Sequence, residues 1–351
     1  MRILITGGAG FIGSNLAVYF RRKFPAATIV CMDNLYRRGS ELNVARLIEQ
    51  GIVFHWGDVR NPLTFPQGPF EFLMECSAEP SVLAARDGSP DHVFHTNLTG
   101  AYHCLEKARQ WNSGVVFLST SRVYPMNSLE KHPWREKETR FVWEDVGTAG
   151  ITSRGVSEKV DMNGARSFYG YTKYAAELLI EEYRSGWGAK AIVNRCGVIA
   201  GPWQFGRVDQ GVVTHWVLAH YFNRPLRYIG FGGSGKQVRD ALHVADLCEL
   251  IGQQIENFDQ WEGWVGNVCG GADNSVSLLE LTAICREIVE RSVAIAVVPD
   301  NRPDDLRLFV GDNSRLYERT SWRPSRQVRD IVSDISAWIS ERETDLKKLA
   351  N

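Results

Sequence analysis

The stretch ITGGAGFIGSNL, Ile5 to Leu16, constrains the fold more than any other. It follows the apolar run Arg2 to Thr6, which reads as a buried strand, and it opens helix spacing over Phe11 to Phe24. Gly7, Gly10 and Gly13 stand in a G-x-x-G-x-x-G spacing. Glycine lets the backbone turn tightly and approach a pyrophosphate. The helix N-terminus that follows offers amide donors and the positive end of its dipole. A second apolar run, Thr28 to Met32, ends in Asp33, 20 residues beyond Gly13. A carboxylate there can hydrogen-bond the 2′- and 3′-hydroxyls of an adenosine ribose and would repel a 2′-phosphate. That favours NAD over NADP, a preference that Arg37 and Arg38 weaken a little. The bland reading is a tight turn between strand and helix. The strand, helix and acid together favour dinucleotide binding.

Further short apolar runs are Ile52 to Trp56, Phe70 to Met74 and Val115 to Leu118, with a helical stretch from about His92 to Trp111 between the last two. Strands alternating with helices predict an α/β fold, a doubly wound parallel sheet of Rossmann type with right-handed crossovers. From Pro125 to about Ser167 the pattern loosens and turns polar, and a loop that long is functional or mobile. Regularity returns with a helix from Phe168 to Trp187 and a strand from Ala189 to Arg195. After Gly201 the composition shifts toward Gly, Trp, Arg and Gln. The expected organisation is a first domain over 1–200 and a smaller C-terminal α/β substrate lobe over 201–351, with parts of the chain returning to the first. Ser277 followed by Glu280 is a capping box that opens the apolar-periodic helix LLELTAICREIV. The closing SERETDLKKLAN reads as a charged, solvated helix end.

A chain of 351 residues allows one large α/β unit or two domains. A net charge of −1 argues against a nucleic-acid binder. No run of about 18 apolar residues suggests a membrane span, and MRILITGG enters a strand at once, with no room for a signal peptide. The seven cysteines are scattered without a Cys-x-x-Cys pair, so neither a disulfide framework nor structural zinc is expected, and the compartment expected is the cytoplasm.

SFYGYTKYAAELLIEEY places Tyr169 four residues before Lys173, on one face of a helix. An ammonium beside a phenol favours the phenolate, which can then exchange a proton with a sugar hydroxyl near neutral pH. The pair also occurs by chance on tyrosine-rich helices, and Tyr171 and Tyr174 show that this is one. STSRVYP, Ser119 to Pro125, puts small hydroxyls at the end of a predicted strand. GDVRN adds Asp58, where such folds meet the adenine edge, although alone it reads as a turn residue.

With these motifs in order, the chain resembles an extended short-chain dehydrogenase/reductase of the kind that modifies nucleotide sugars. The resemblance covers essentially the whole chain. It implies NAD as cofactor and a nucleotide-sugar substrate. It also implies a homodimer through the Tyr169 helix and its neighbour. In that family the catalytic Ser/Thr lies four residues before the tyrosine of a V-Y pair, which maps to Thr120. The catalytic set implied is Thr120, Tyr169 and Lys173. The cofactor set adds Gly7, Gly10, Phe11, Ile12, Gly13, Asp33, Asn34, Asp58, Val59, Ala78, Asn97, Ser119 and Cys196. The substrate set implied is Thr120, Ser121, Arg122, Asn194, Gln204, Arg239 and Arg307.

Arg239 comes from GKQVRDALHV and Arg307 from RPDDLRLFVGD, elements whose arginines meet the diphosphate in the family; surface ion pairs are the other reading. Trp203 and the stretch 207–211 could frame the base, or Trp203 could be core. Family dehydratases carry an Asp-Glu pair after the Thr, and decarboxylases a Glu one residue further on. Here those positions are Ser121 and Arg122, so elimination lacks its acid/base group. More narrowly, STSRVYP, ETR (Glu138 to Arg140), DQG (Asp209 to Gly211) and GKQVRD are similar to the CDP-paratose 2-epimerase (CDP-tyvelose 2-epimerase) group. One departure is ECSAEPSV, where Cys76 stands in place of a cofactor-lining His and Ala78 is kept. Cys76 reads as packing. The implied reaction is inversion at C2 through a transient keto sugar. Also open are a 4-epimerase or dehydrogenase acting on another nucleotide sugar, and a non-catalytic NAD-binding regulator.

Overall fold

The structure, a computed structural model, describes residues 1–86, 89–206 and 210–349. It divides into two interleaved units. Met1–Val123, Phe168–Arg195 and Cys248–Gly266 form the first. Tyr124–Ser167, Cys196–Leu247 and the chain from Asn267 on form the second. The segment Tyr124–Ser167, within the first domain of the expected organisation, falls in the second unit, and backbone pairing is the reason. Phe141 N donates to Lys236 O and Val156 N to Val310 O, which ties 124–167 into the second unit, while Val193 N donates to Trp264 O in the first. With that segment included, the two units are of similar size.

The first unit carries a seven-stranded parallel sheet. Its first five strands are β1 (Arg2–Thr6), β2 (Thr28–Asp33), β3 (Val53–Trp56), β4 (Phe72–Glu75) and β5 (Gly114–Thr120). Ala191–Cys196 and Val265–Val268 complete it. The spatial order is Val265–Val268, Ala191–Cys196, β5, β4, β1, β2, β3. Ile3, Leu4 and Ile5 have no exposed surface, as expected of a strand covered on both faces. β1 pairs with β2 on one side and β4 on the other, with Thr6 opposite Met32 and Glu75. The winding direction therefore reverses beside β1, and ligands bind beyond the carboxyl ends of strands at such a switch point. The glycine loop leaves β1 there and enters helix α1 (Phe11–Lys23).

Leu4, Val30, Leu73, Val115 and Phe117 form a core with Ala101, Leu105 and Ala108 of the helix Gly100–Trp111 and with Ala176 and Ile180 of the helix Phe168–Trp187. The expected helix from His92 starts at Asp91, but His95–Thr99 is wound as a π-turn.

In the second unit, Val198–Ala200, Val238–His243, Ser275–Ser277 and Leu308–Phe309 form one sheet, and Leu226–Ile229 pairs with Ile295–Val298. The helices Val212–Tyr221, Leu278–Val289 and Val328–Glu341 pack through Trp216, Val217, Leu281, Cys285, Val332 and Ile335. The capping box forms as expected. Glu280 N donates to Ser277 Oγ at 3.1 Å, and Ser277 N to Glu280 Oε2 at 2.9 Å. The segment expected to be loose contains the helix Met126–Lys131 and two hairpins, Trp134–Glu136 with Phe141–Trp143 and Ile151–Thr152 with Gly155–Val156. Strands of two or three residues are too short to show a readable alternation. Among the described residues, no helix is long and apolar enough to cross a membrane.

Candidate active site

The glycine loop is cut to fit backbone against backbone. Gly7 sits at φ +63°, and a Cβ on it would lie 2.7 Å from Cys76 O. A Cβ on Gly13 would lie 2.3 Å from Gly7 O. Gly10 N donates to Gly7 O at 2.9 Å, and Gly10 then caps α1 without any side chain. Phe11, Ile12 and Gly13 form the first turn of α1, whose amides point toward the crevice end. Side chains at Gly7 and Gly13 would collide with this backbone and force the loop open, so the residues present keep a tight strand-to-helix turn that fits a dinucleotide.

Asp33 braces the cradle. Its Oδ2 accepts from Ala9 N at 3.1 Å and its Oδ1 from Leu35 N at 2.8 Å. Burial, the largest influence, lifts its carboxyl above the usual range against these donors. Asn34 Nδ2 donates to Asp58 Oδ2 at 3.0 Å, so two expected cofactor residues are joined. Asp58 also takes the Arg60 guanidinium at 2.6 Å and the Arg60 amide, the bonding of a turn residue. Burial works against its charge, but Arg60 and Asn34 hold it down to about 2. Val59 is buried against Gly100, and Ala78 is half-buried. Burial, the largest influence, holds the Cys76 thiol well above its ordinary value and keeps it neutral.

Asn97 and Ser119, both expected at the cofactor, are engaged within the protein. Asn97 Oδ1 accepts from Glu79 N at 2.8 Å, and its Nδ2 donates to Glu79 O and to Thr172 Oγ1. The π-turn thus ties the chain after β4 to the helix Phe168–Trp187. Ser119 Oγ donates to Glu177 Oε1, and Arg195 grips the same carboxylate with Nε and Nη2, the latter at 2.7 Å. This buried network joins the end of β5 to the same helix. Glu177 and Arg195 went unseen in the sequence. The signal available was Glu177 four residues after Lys173 on an otherwise apolar helix face.

That helix packs against β5 and the turn Ser121–Val123. Thr120 ends β5, is buried, and accepts from Arg122 N at 3.2 Å. Tyr169 is half-buried in the first turn of the helix. Lys173, one turn on, is buried, with Nζ 4.4 Å from the centre of the Phe117 ring and 3.4 Å from Glu75 Oε2. Burial, the largest influence, favours the neutral amine, but Glu75 and Tyr169 outweigh it and lift the lysine above its ordinary value. It stays an ammonium. Thr120, Tyr169 and Lys173 therefore belong to one unit.

Asn194, expected at the substrate, and Trp203, open to both base-framing and core readings, each meet a side chain of the protein. Asn194 has no exposed surface and exchanges amide hydrogen bonds with Gln254 at 2.8 and 3.0 Å, as a buried pair. Trp203 rests on Trp338, with ring centres 5.9 Å apart, which is the core alternative. Gln204 bridges Ile199 O and Thr214 Oγ1. Residues 207–209, and with them Asp209, lie outside the described residues. Cys196 is buried at the end of its strand.

In the second unit, Arg239 donates to Val238 O, Leu306 O and Asp305 Oδ1, the last at 2.8 Å. Arg307 is different. Its guanidinium stands 3.9 Å from the ring centre of Trp134, 4.8 Å from Phe231 and 5.1 Å from Phe141. Its Nε has no hydrogen-bond partner among the described residues. Among the described residues, rings and no side-chain ion pair hold this planar, permanently charged group. The three rings were not foreseen, because two come from the hairpin 134–143 and the third, Phe231, from a distant turn.

Residues 3–269 match the model of the NAD dependent epimerase/dehydratase family. The chain is 30% identical to CDP-paratose 2-epimerase of Salmonella typhi over 97% of this chain and 99% of that protein. It is 28% identical to UDP-glucuronic acid decarboxylase 1 of Arabidopsis thaliana, over 95% of this chain and 69% of that one. The structure of UDP-glucose 4-epimerase from Thermus thermophilus in complex with NAD superimposes with a TM-score of 0.74 at 23% identity, covering 97% of this chain and 99% of that chain.

Proposed function

The chain belongs to the NAD dependent epimerase/dehydratase family and takes NAD as its cofactor, and from that premise we propose that it is a nucleotide-sugar isomerase that inverts C2 of a CDP-linked 3,6-dideoxyhexose, CDP-paratose. The observation that carries this reading is the catalytic set itself. Thr120, Tyr169 and Lys173 are present, while Ser121 and Arg122 stand where elimination or decarboxylation needs carboxylates. Such a set can move a proton on and off a hydroxyl and nothing more. The likeness to CDP-paratose 2-epimerase supports the choice of base and ring position.

Gly7, Gly10, Gly13 and Asp33 would hold the cofactor. When bound, NAD supplies the hydride acceptor and donor. Tyr169, as phenolate, takes the C2 hydroxyl proton and later returns it. The Lys173 ammonium favours the phenolate throughout. Thr120 hydrogen-bonds the same oxygen as it becomes a carbonyl. Arg307, with Arg239, would hold the diphosphate while the sugar presents its other face. A homodimer fits the exposed Tyr171 and Leu178 on the catalytic helix and Tyr102 on the helix packed against it.

The test is proton NMR of CDP-paratose with the protein in D2O and no added NAD. The C2 epimer free of deuterium at C2 is the expected product. Deuterium at C2 would sink the mechanism. No conversion, with CDP-glucose, UDP-hexoses or GDP-hexoses converted instead, would reject the substrate.

A further inference from the structure

Glu75 is a glutamate that ends an otherwise apolar strand, Phe72-Leu73-Met74, at the centre of the sheet. It is 2% exposed. A buried carboxylate is costly unless paired, and packing alone would be served by an apolar residue. Its partner is Lys173, at 3.4 Å, with both side chains 3% exposed. We propose that Glu75 is a positioning residue for Lys173, a buried counter-ion that keeps the lysine charged and fixed beside Tyr169 across the working pH range. The proposal rests on the proton-transfer role given to Tyr169 above.

The surroundings of Lys173 support this. The Phe117 ring of β5 stabilises the ammonium but brings no charge. Cys76, after β4, and Cys104, on the helix Gly100–Trp111, are thiols that burial keeps neutral. Glu177, one turn on along the catalytic helix, is paired with Arg195. Tyr169 is the group to be ionised. Burial, the largest influence, lifts the Glu75 carboxyl above its ordinary value while Lys173 opposes it, and at 3.4 Å Glu75 is the carboxylate that answers Lys173. Without it, burial is opposed by Tyr169 and the Phe117 ring but no longer by a paired carboxylate, and the lysine loses its proton at lower pH.

The experiment compares Glu75→Gln, Glu75→Asp, Lys173→Met and the double variant Glu75→Gln/Lys173→Met with the wild type. One readout needs no substrate: urea stability from pH 7 to pH 10. A lysine with a depressed folded pKa gives stability that rises with pH. The deficit of Glu75→Gln should therefore be largest near pH 7 and shrink toward pH 10, and adding Lys173→Met should remove most of it. The second readout is the turnover profile. Glu75→Gln should gain an alkaline limb, falling about tenfold per pH unit above the new lysine pKa. Glu75→Asp should keep the wild-type shape. A deficit equal at every pH, with no coupling to Lys173, overturns the proposal and makes Glu75 a packing group. Coupling without turnover of any nucleotide sugar leaves the counter-ion standing and rejects the proposed function.

Discussion

Arg195→Met tests the network that holds the helix Phe168–Trp187 to β5. In the wild type, Arg195 meets the Glu177 carboxylate at 3.1 Å from Nε to each oxygen and at 2.7 Å from Nη2, with side-chain exposures of 9% and 5%. Ser119 donates to the same carboxylate. Methionine fills similar volume but leaves the carboxylate with one neutral donor. Removing one member of a buried ion pair costs about 3–5 kcal/mol, because the other charge stays desolvated. Against a typical total of about 5–15 kcal/mol, that is a large fraction. With a urea m-value of about 3 kcal/mol/M, the unfolding midpoint should fall by roughly 1 M or more. The double variant Arg195→Met/Glu177→Leu removes both charges and should recover most of the loss. The assay is urea unfolding followed by tryptophan fluorescence in the wild type, both single variants and the double. If the double variant shows the sum of the single losses, the two residues are not coupled and the reasoning fails.

Gly13→Ala should release NAD, lowering its affinity about tenfold or more, because the new Cβ would meet the Gly7 carbonyl at 2.3 Å; NAD content of the denatured protein measures this. Asp240 is wholly buried, and burial, the largest influence, pushes its carboxyl up to about 6 against donors from Gly311 and Gly271. Its folded value lies above the unfolded value, so stability should fall by about 3 kcal/mol as pH rises from about 4 through about 6, and Asp240→Asn should flatten that slope. Arg307→Lys keeps the charge but loses the planar fork, so CDP affinity by calorimetry should drop about tenfold while NAD content stays unchanged. Ser277→Ala should cost about 1 kcal/mol by loss of the N-cap, and Glu280→Ala more, since Glu280 also holds Arg140.

Local chemistry carried a long way in this chain. The glycine spacing, the acid at the end of β2, the Tyr169–Lys173 turn and the Ser277 cap could all be read from sequence, because each rests on neighbours within one element or one turn. The alternation of buried runs with helices likewise implied the parallel sheet. Tertiary structure alone decided the rest, for one physical reason: a buried polar group must find a partner, and that partner can lie anywhere along the chain. Glu75 meets Lys173 across 98 residues and Arg195 meets Glu177 across 18. Asn194 turns to Gln254, and Asn97 to Thr172. The rings around Arg307 come from positions 134, 141 and 231. Periodicity reports which face of an element is buried. It carries no information about which distant charge waits on the other side, and in this protein that pairing decides the electrostatics around Lys173.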